Sequence, residues 1–422
     1  MGPIVVIVGI ILMVVIHELG HFVAAKVFGM KATEAFFGFG PRIWSTQRGE
    51  TEYGIKAIPL GGYVRIVGMN PFEEVPPEEE HRTYRGKPFG QKAVVVLAGV
   101  FSNFVIGFIL FYVVAVTWNM VEATTQVAEV SEVLVTTSGA GDEMPLALED
   151  GDHVVSVDGV PLGELGTTAT KPPNKVVPVV VDRGGAQITL ETNDNVVATP
   201  AYLMGVRSGD VLQSVDGIVI RDWDHFVELA KERPGVATEI TWERNGQVMS
   251  GTAVLAERQI AGETTGFVGV GPEGVEVNIG PIAGITRAAG DLAETTWLSL
   301  DGLWTMVRRT PQLLSAAVGQ NAAVLGEARP VSVIGIARVA TGMQTALFLM
   351  AYVSVFVGTL NVIPLYPLDG GHFAVALYEK IRGRQADVRR LIPVAAAVII
   401  FIMLLGVLGI YFDIVDPIPV PR

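Results

Sequence analysis

Residues 14–23 read VVIHELGHFV, two histidines and a glutamate inside a run that is otherwise apolar. An ionisable side chain in a membrane-spanning stretch is costly and marks function by default, so these three decide how the rest is read. His17 and His21 are four residues apart, which on a helix sets both imidazoles on one face with Glu18 beside them. That spacing lets two imidazoles share one Zn2+ while the glutamate reaches a water at the metal. With six histidines in 422 residues, HExxH should arise by chance in only about one such sequence in two hundred. A histidine pair satisfied by neighbouring helices is the bland alternative, and it is weaker within a membrane than in a soluble core.

The surroundings are those of a membrane protein. Half of the chain is hydrophobic and 17% is charged. Four windows, 2–25, 93–118, 345–368 and 391–412, are nearly free of Asp, Glu, Lys and Arg and long enough to cross a bilayer. The first lacks the basic start and small-residue cleavage site of a signal peptide. There are no cysteines, which excludes disulfides and thiolate metal sites.

Charge sets the expected orientation. Lys26 and Lys31 follow the first window, and Lys87 and Lys92 precede the second. Lys380, Arg382 and Arg384 follow the third, with Arg389 and Arg390 before the fourth. By the positive-inside rule these loops are cytoplasmic, and both termini and the long middle segment lie outside. Residues 119–344 hold 14 Lys and Arg against 29 Asp and Glu, so that segment repels phosphate and nucleic acid is no partner for it.

Within 27–92, RIWSTQRGETEYGIKAIPLGGYVRIVG alternates polar and apolar residues around turn formers, the pattern of a β-hairpin followed by another strand. Periodicity alone leaves it open whether this is a decoration or a working part. The outer segment carries a repeat: DGDHVVSVDGVPL (150–162) and SGDVLQSVDGIVI (208–220) share G-D-x-x-x-S-V-D-G 58 residues apart. Each copy places an alternating strand between two turns. The amphipathic stretch DWDHFVELAKERP and further strands follow the second copy, which fits a small PDZ-like fold; the first copy shows no obvious helix. The stretch after 281 is amphipathic but interrupted by Arg287, Asp291, Glu294 and Asp301, so it reads as a helix lying on the membrane surface.

A catalytic zinc site needs a third protein ligand and an open fourth position. NVIPLYPLDGGHF (361–373) ends the third window with Asp369 and two glycines, which let backbone come close to its neighbours. Pro364 and Pro367 break the helix there and free carbonyls and Asn361. Asp369 is the favoured third ligand, with His372, beyond the glycines, as its competitor.

This set of motifs resembles the site-2 proteases, intramembrane zinc metalloproteases, and most closely their bacterial, actinobacterial-type form with PDZ domains in the extracytoplasmic loop. H-E-L-G-H at 17–21 and N-x-x-P-x-x-x-x-D-G at 361–370 fit two motifs of that family. Gly99 and Asn103 in GVFSN fit a Gly-x-x-x-Asn motif, and 38–64 looks like the membrane-embedded hairpin that presents the substrate strand. The resemblance implies Zn2+ held by His17, His21 and Asp369, Glu18 as catalytic base, and Asn361, Asn103, Pro364 and Gly99 around the substrate. It implies single-span transmembrane substrates such as anti-sigma factors or remnant signal peptides, cut within the lipid bilayer of the inner or plasma membrane.

The expected fold is a polytopic α-helical membrane protein of four transmembrane helices, with a membrane-associated β-hairpin and an extracytoplasmic α+β PDZ module. Its segments are transmembrane helices over 1–26, 93–118, 345–368 and 391–412, a hairpin region over 27–92, PDZ-like domains over 121–196 and 197–273, and amphipathic helices over 281–344. Two other readings use the same residues. A membrane PDZ scaffold with a structural metal has no use for Glu18, and a metal transporter wants more polar residues in its spans.

Overall fold

The computed structural model describes residues 2–70, 73–136, 146–149, 151–168, 175–260, 263–319 and 330–415. The chain divides into two compact units, 1–119 with 278–422, and 120–277. Four helices among the described residues are long and apolar enough to cross a membrane: Gly2–Val27, Phe89–Thr117, Met343–Val362 and Arg389–Val415. The chain is accordingly a membrane protein of the polytopic helical class.

The first span ends where its sequence stops it. Gly29 takes a left-handed φ of 64°, the amide of Met30 reaches the carbonyl of Ala25 at 2.8 Å, and that of Gly29 reaches Lys26 at 3.0 Å. This pairing satisfies the last carbonyls and turns the chain into the strands. The third span stops at Val362, before Pro364 and Pro367, and a separate helix, Asp369–Arg382, begins at the aspartate. The third window therefore ends earlier than 368.

The expected hairpin-plus-strand is two long strands, Ala32–Arg48 and Thr51–Ile66, each folded so that its two halves pair differently. Ala35 lies opposite both Val64 and Tyr53, and Phe36 opposite both Tyr63 and Gly54, while Trp44 to Arg48 face Ile55 to Thr51. The first strand bends at Gly38, whose φ is 87°; a Cβ there would stand 2.7 Å from the carbonyl of Ile58. Glu50 in the turn binds Lys26 and Arg82, each at 2.7 Å, which fastens the turn to the end of the first span.

The long helix Pro281–Gly319 corrects the surface-helix expectation. Gly284 abuts Val116 and Tyr112 while Leu292 reaches Gly107, so it runs antiparallel along the second span. Ala288 is fully buried with Phe111, Ala351 and Val355. Its charges counted against such a position in the sequence, but Arg287 and Asp291 pair at 2.9 Å one turn apart. The neighbouring spans cover its small-residue face, including Thr295 and Ser299. Residues 320–329, within the expected helical stretch, lie outside the described residues.

In the second unit the sequence repeat is a structural one. Its copies form the strands His153–Val157 and Val211–Val215. Each pairs antiparallel with a strand, Val177–Arg183 or Ala237–Arg244, that pairs in turn with Ala186–Thr192 or Gln247–Val254. The first aspartate of the shared G-D-x-x-x-S-V-D-G pattern does the same work in both copies. Asp152 grips Arg183 and Asp210 grips Arg244 through both carboxylate oxygens at 2.7 Å, a bidentate geometry that fixes both partners. The second aspartate of the pattern, Asp158 or Asp216, turns the chain at φ 51° or 47°.

Among the described residues, only the second copy carries the full helix, Trp223–Lys231, capped by Asp222 on the amide of His225 at 2.8 Å. The first has a short 3-10 turn, Leu162–Glu164, and residues 169–174 of it lie outside the described set. The strand Met120–Val130 falls in the first expected domain, yet it pairs with Val211 and with Val270–Val277. Its Val127 packs in the second copy's core with Ile240 and Trp242, side chains whose full burial stabilises the fold by about 1.5–3 kcal/mol each. Pairing between distant strands is set by register, which a repeat period does not encode.

Candidate active site

His17 and His21 project from the first span, and Asp369 opens the helix that follows the third. Nε2 of His17, Nε2 of His21 and Oδ2 of Asp369 are each 3.3 Å from the other two. A tetrahedral centre with bonds of about 2.0–2.1 Å spaces its ligand atoms by about 3.3 Å, so the triangle is the size a zinc ion requires. Two imidazole nitrogens and a carboxylate oxygen facing one another this closely repel unless a cation or shared proton lies among them. Oδ2 of Asp369 is buried with no hydrogen-bond partner, another sign of a donor set arranged for a metal.

The ring nitrogens turned away from the triangle are held. Nδ1 of His21 donates to the carbonyl of Val95 at 2.8 Å, leaving Nε2 as the lone-pair donor. The Asn103 amide lies 3.2 Å from Nδ1 of His17. The amide nitrogen is the atom placed there. A His17 that offers Nε2 to a metal carries its proton on Nδ1, and the amide turned over by half a turn accepts that proton through Oδ1, which otherwise has no partner. Asn103 is itself fully buried, and its carbonyl accepts from the Ser354 hydroxyl at 2.8 Å. The structure thus places Asn103 behind His17 and also in the lining of the cavity that holds Glu18 and Asn361.

Glycines bring the first two spans together at this level. A Cβ on Gly99 would stand 2.2 Å from Nε2 of His21, and one on Gly20 would stand 2.7 Å from the carbonyl of Ala98. Gly99 therefore makes room for the His21 ring. Asp369 is steadied from its own helix, where Lys92 of the second span pairs with Glu379 at 3.0 Å. Gly370 and Gly371 pack so closely on the preceding turn that a Cβ would fall 2.1 Å and 2.4 Å from backbone atoms.

Glu18 lies beside the triangle, and its Oε2 accepts from the amide of Val64 at 3.1 Å. A cavity of about 360 Å3 is lined by His17, Glu18, His21, Asn361 and Asp369, with Val64 and Ile66 from the strand edge. Pro364 lies elsewhere, lining a different cavity with Arg384 and Arg390. His372 also lies apart from the triangle, with its ring 4.8 Å from that of Tyr366. The amide of Val64 and the carbonyl of Val95 were not legible as site groups in the sequence, because both act through backbone.

The sequence matches Peptidase family M50 over residues 5–406. The chain belongs to peptidase family M50. It is 30% identical to the Zinc metalloprotease Rip1 of Mycobacterium bovis over 97% of this chain and 96% of that one. The Rip1 of Mycolicibacterium smegmatis is 29% identical over the same shares. The Regulator of sigma-E protease RseP of Escherichia coli is 27% identical over 89% and 90%. This M50 chain thus holds a metal-sized donor triangle with the Glu18 carboxylate beside it.

Proposed function

We propose that this M50 peptidase is an intramembrane zinc metalloprotease that cuts single-span membrane proteins within their transmembrane segments. The observation that carries the reading is the 3.3 Å triangle of His17, His21 and Asp369, set on spanning helices with Glu18 in the same cavity. Relatives named zinc metalloproteases support zinc as the metal. Bound by the three ligands, it supplies Lewis acidity that polarises the scissile carbonyl and acidifies water.

The chain's own groups do the rest. Glu18 takes the proton of the attacking water and passes it to the leaving amide nitrogen. The Val64 amide on its Oε2 keeps the carboxylate aimed while leaving the other oxygen for the proton. Asn361, on the cavity wall, offers an amide donor to the substrate backbone or to the charge that develops on the carbonyl oxygen. Asn103, in the lining of the same cavity, orients His17.

A transmembrane helix hides its peptide bonds in i to i−4 hydrogen bonds, so the substrate must unwind before attack. Strand run 62–66 lies on the edge of the folded pair and on the cavity wall. Adding the unwound segment to that edge would hold it extended through main-chain bonds, with little demand on sequence. The two repeat modules of the second unit act as PDZ domains outside the cell membrane, filtering bulky outer domains or binding new C-termini. Both termini share that side, following the charge around the spans. Suitable substrates are anti-sigma factors trimmed by an earlier protease, or remnant signal peptides.

The test is cleavage of single-span substrates by the purified protein in liposomes, with the cut mapped by mass spectrometry. Cuts inside the apolar segment are expected. Cuts confined to soluble flanks would contradict the reading.

A further inference from the structure

The first span presents two different faces on either side of Glu18. His17 and His21 turn to the metal cavity, whereas Val15, Leu19 and Phe22 line a second cavity of about 310 Å3 against the folded strands. Glu18 and Val64 line both cavities, so the carboxylate stands in the wall between them. Phe36, Phe37 and Trp44 form the opposite side. Glycine makes the space: a Cβ on Gly54 would fall 2.5 Å from the Phe36 ring, and one on Gly62 would meet Cγ of Glu18 at 3.4 Å. Leu19 and Trp44 are 49% and 57% exposed, so the cavity opens sideways, towards the hydrocarbon that surrounds the span.

We propose that this cavity is a specificity pocket that takes a bulky apolar side chain next to the scissile bond. The proposal rests on Glu18 acting as the base. A base must lie within hydrogen-bond reach of the attacking water, so the bond it serves lies at the wall shared by the two cavities. An extended substrate beside run 62–66 sends alternate side chains to opposite faces. The one adjoining the cleaved bond on the Glu18 side has this cavity to enter. Its walls offer carbon almost throughout, and its volume holds a phenylalanine or leucine side chain. The enzyme then has little preference along most of the substrate and a size preference at one position.

The experiment uses zinc-loaded full-length protein in liposomes and a single-span substrate carrying Ala, Leu, Phe or Trp at each position flanking the mapped cut. Phe37→Ala enlarges the cavity and Leu19→Trp fills it, and zinc content of each variant reports that the triad is intact. Wild type should favour Leu and Phe over Ala at one flanking position by about tenfold in kcat/KM. Phe37→Ala should move that preference towards Trp, and Leu19→Trp towards Ala. Glu18-dependent cleavage with unchanged ratios in both variants overturns the pocket alone. So does a change in rate common to all substrates, the result expected if a lipid acyl chain fills the space. Cleavage that persists in Glu18→Gln overturns the base assignment beneath it.

Discussion

Gly99 lies so close to His21 that a Cβ on it would stand 2.2 Å from Nε2 and 2.5 Å from Cε1 of the ring. The second span thus borders the donor triangle without contributing an atom to it. Gly99→Ala must push the ring out of the triangle or part the spans, and the packing of span on span gives little room for either. Zinc bound per chain should fall well below the wild-type value, and proteolysis with it. Normal zinc content in Gly99→Ala would show that the ring has another place to go.

Ligand and bystander separate at the end of the third span. Asp369→Ala removes one corner of the triangle and should abolish both zinc retention and activity. His372→Ala should leave zinc near normal, since its ring packs on Tyr366. Metal analysis of the two purified variants decides this, and the opposite pattern would reverse the assignment.

Much of the site was legible because it is written in side chains at short spacing. HExxH needs only a helix to bring His17, Glu18 and His21 together, and the broken third span marked Asp369. What was not legible depends on how distant segments dock. Gly99 and Asn103 stood out in the sequence, but only the approach of the second span shows that one clears His21 and the other backs His17. Val64 is an ordinary strand residue until its amide meets Glu18. The helix over 281–319 carries charges that argue for the surface, and only its packing shows its small-residue face against the second span. The duplicated strands were readable from their shared pattern, whereas the pairing of Met120–Val130 with the second copy is a matter of register.

The duplicated clamp has a pH signature. The Arg183 guanidinium, helped by the amide of Glu149, holds the Asp152 carboxyl down to about 2, below the unfolded value of about 3.9. A depressed folded pKa means the contribution is present above about pH 4 and is lost as pH falls towards 2. Protection against hydrogen exchange over 153–157 and 177–183, taken relative to the intrinsic exchange rate at each pH, should therefore fall across that window in wild type. Asp152→Asn should exchange faster at neutral pH and show a smaller change on acidification. An identical acid response in the two proteins would remove the clamp from the account.

Orientation is open to a direct check. Reporter fusions near 80 and 385 should read as cytoplasmic, and one near 220 as extracytoplasmic, because basic residues flank the same side of all four spans. A cytoplasmic signal near 220 would overturn both the orientation and the filtering role of the repeat modules.

The central claim is that Glu18 is the base of a zinc peptidase, and one paired measurement tests it most directly. Zinc content and cleavage of a single-span substrate are measured on the same preparation of Glu18→Gln. His17, His21 and Asp369 are untouched, so zinc should remain near one per chain, while the rate of cleavage should fall by about 10²–10⁴-fold or more. Substantial cleavage by the zinc-loaded variant would contradict the account.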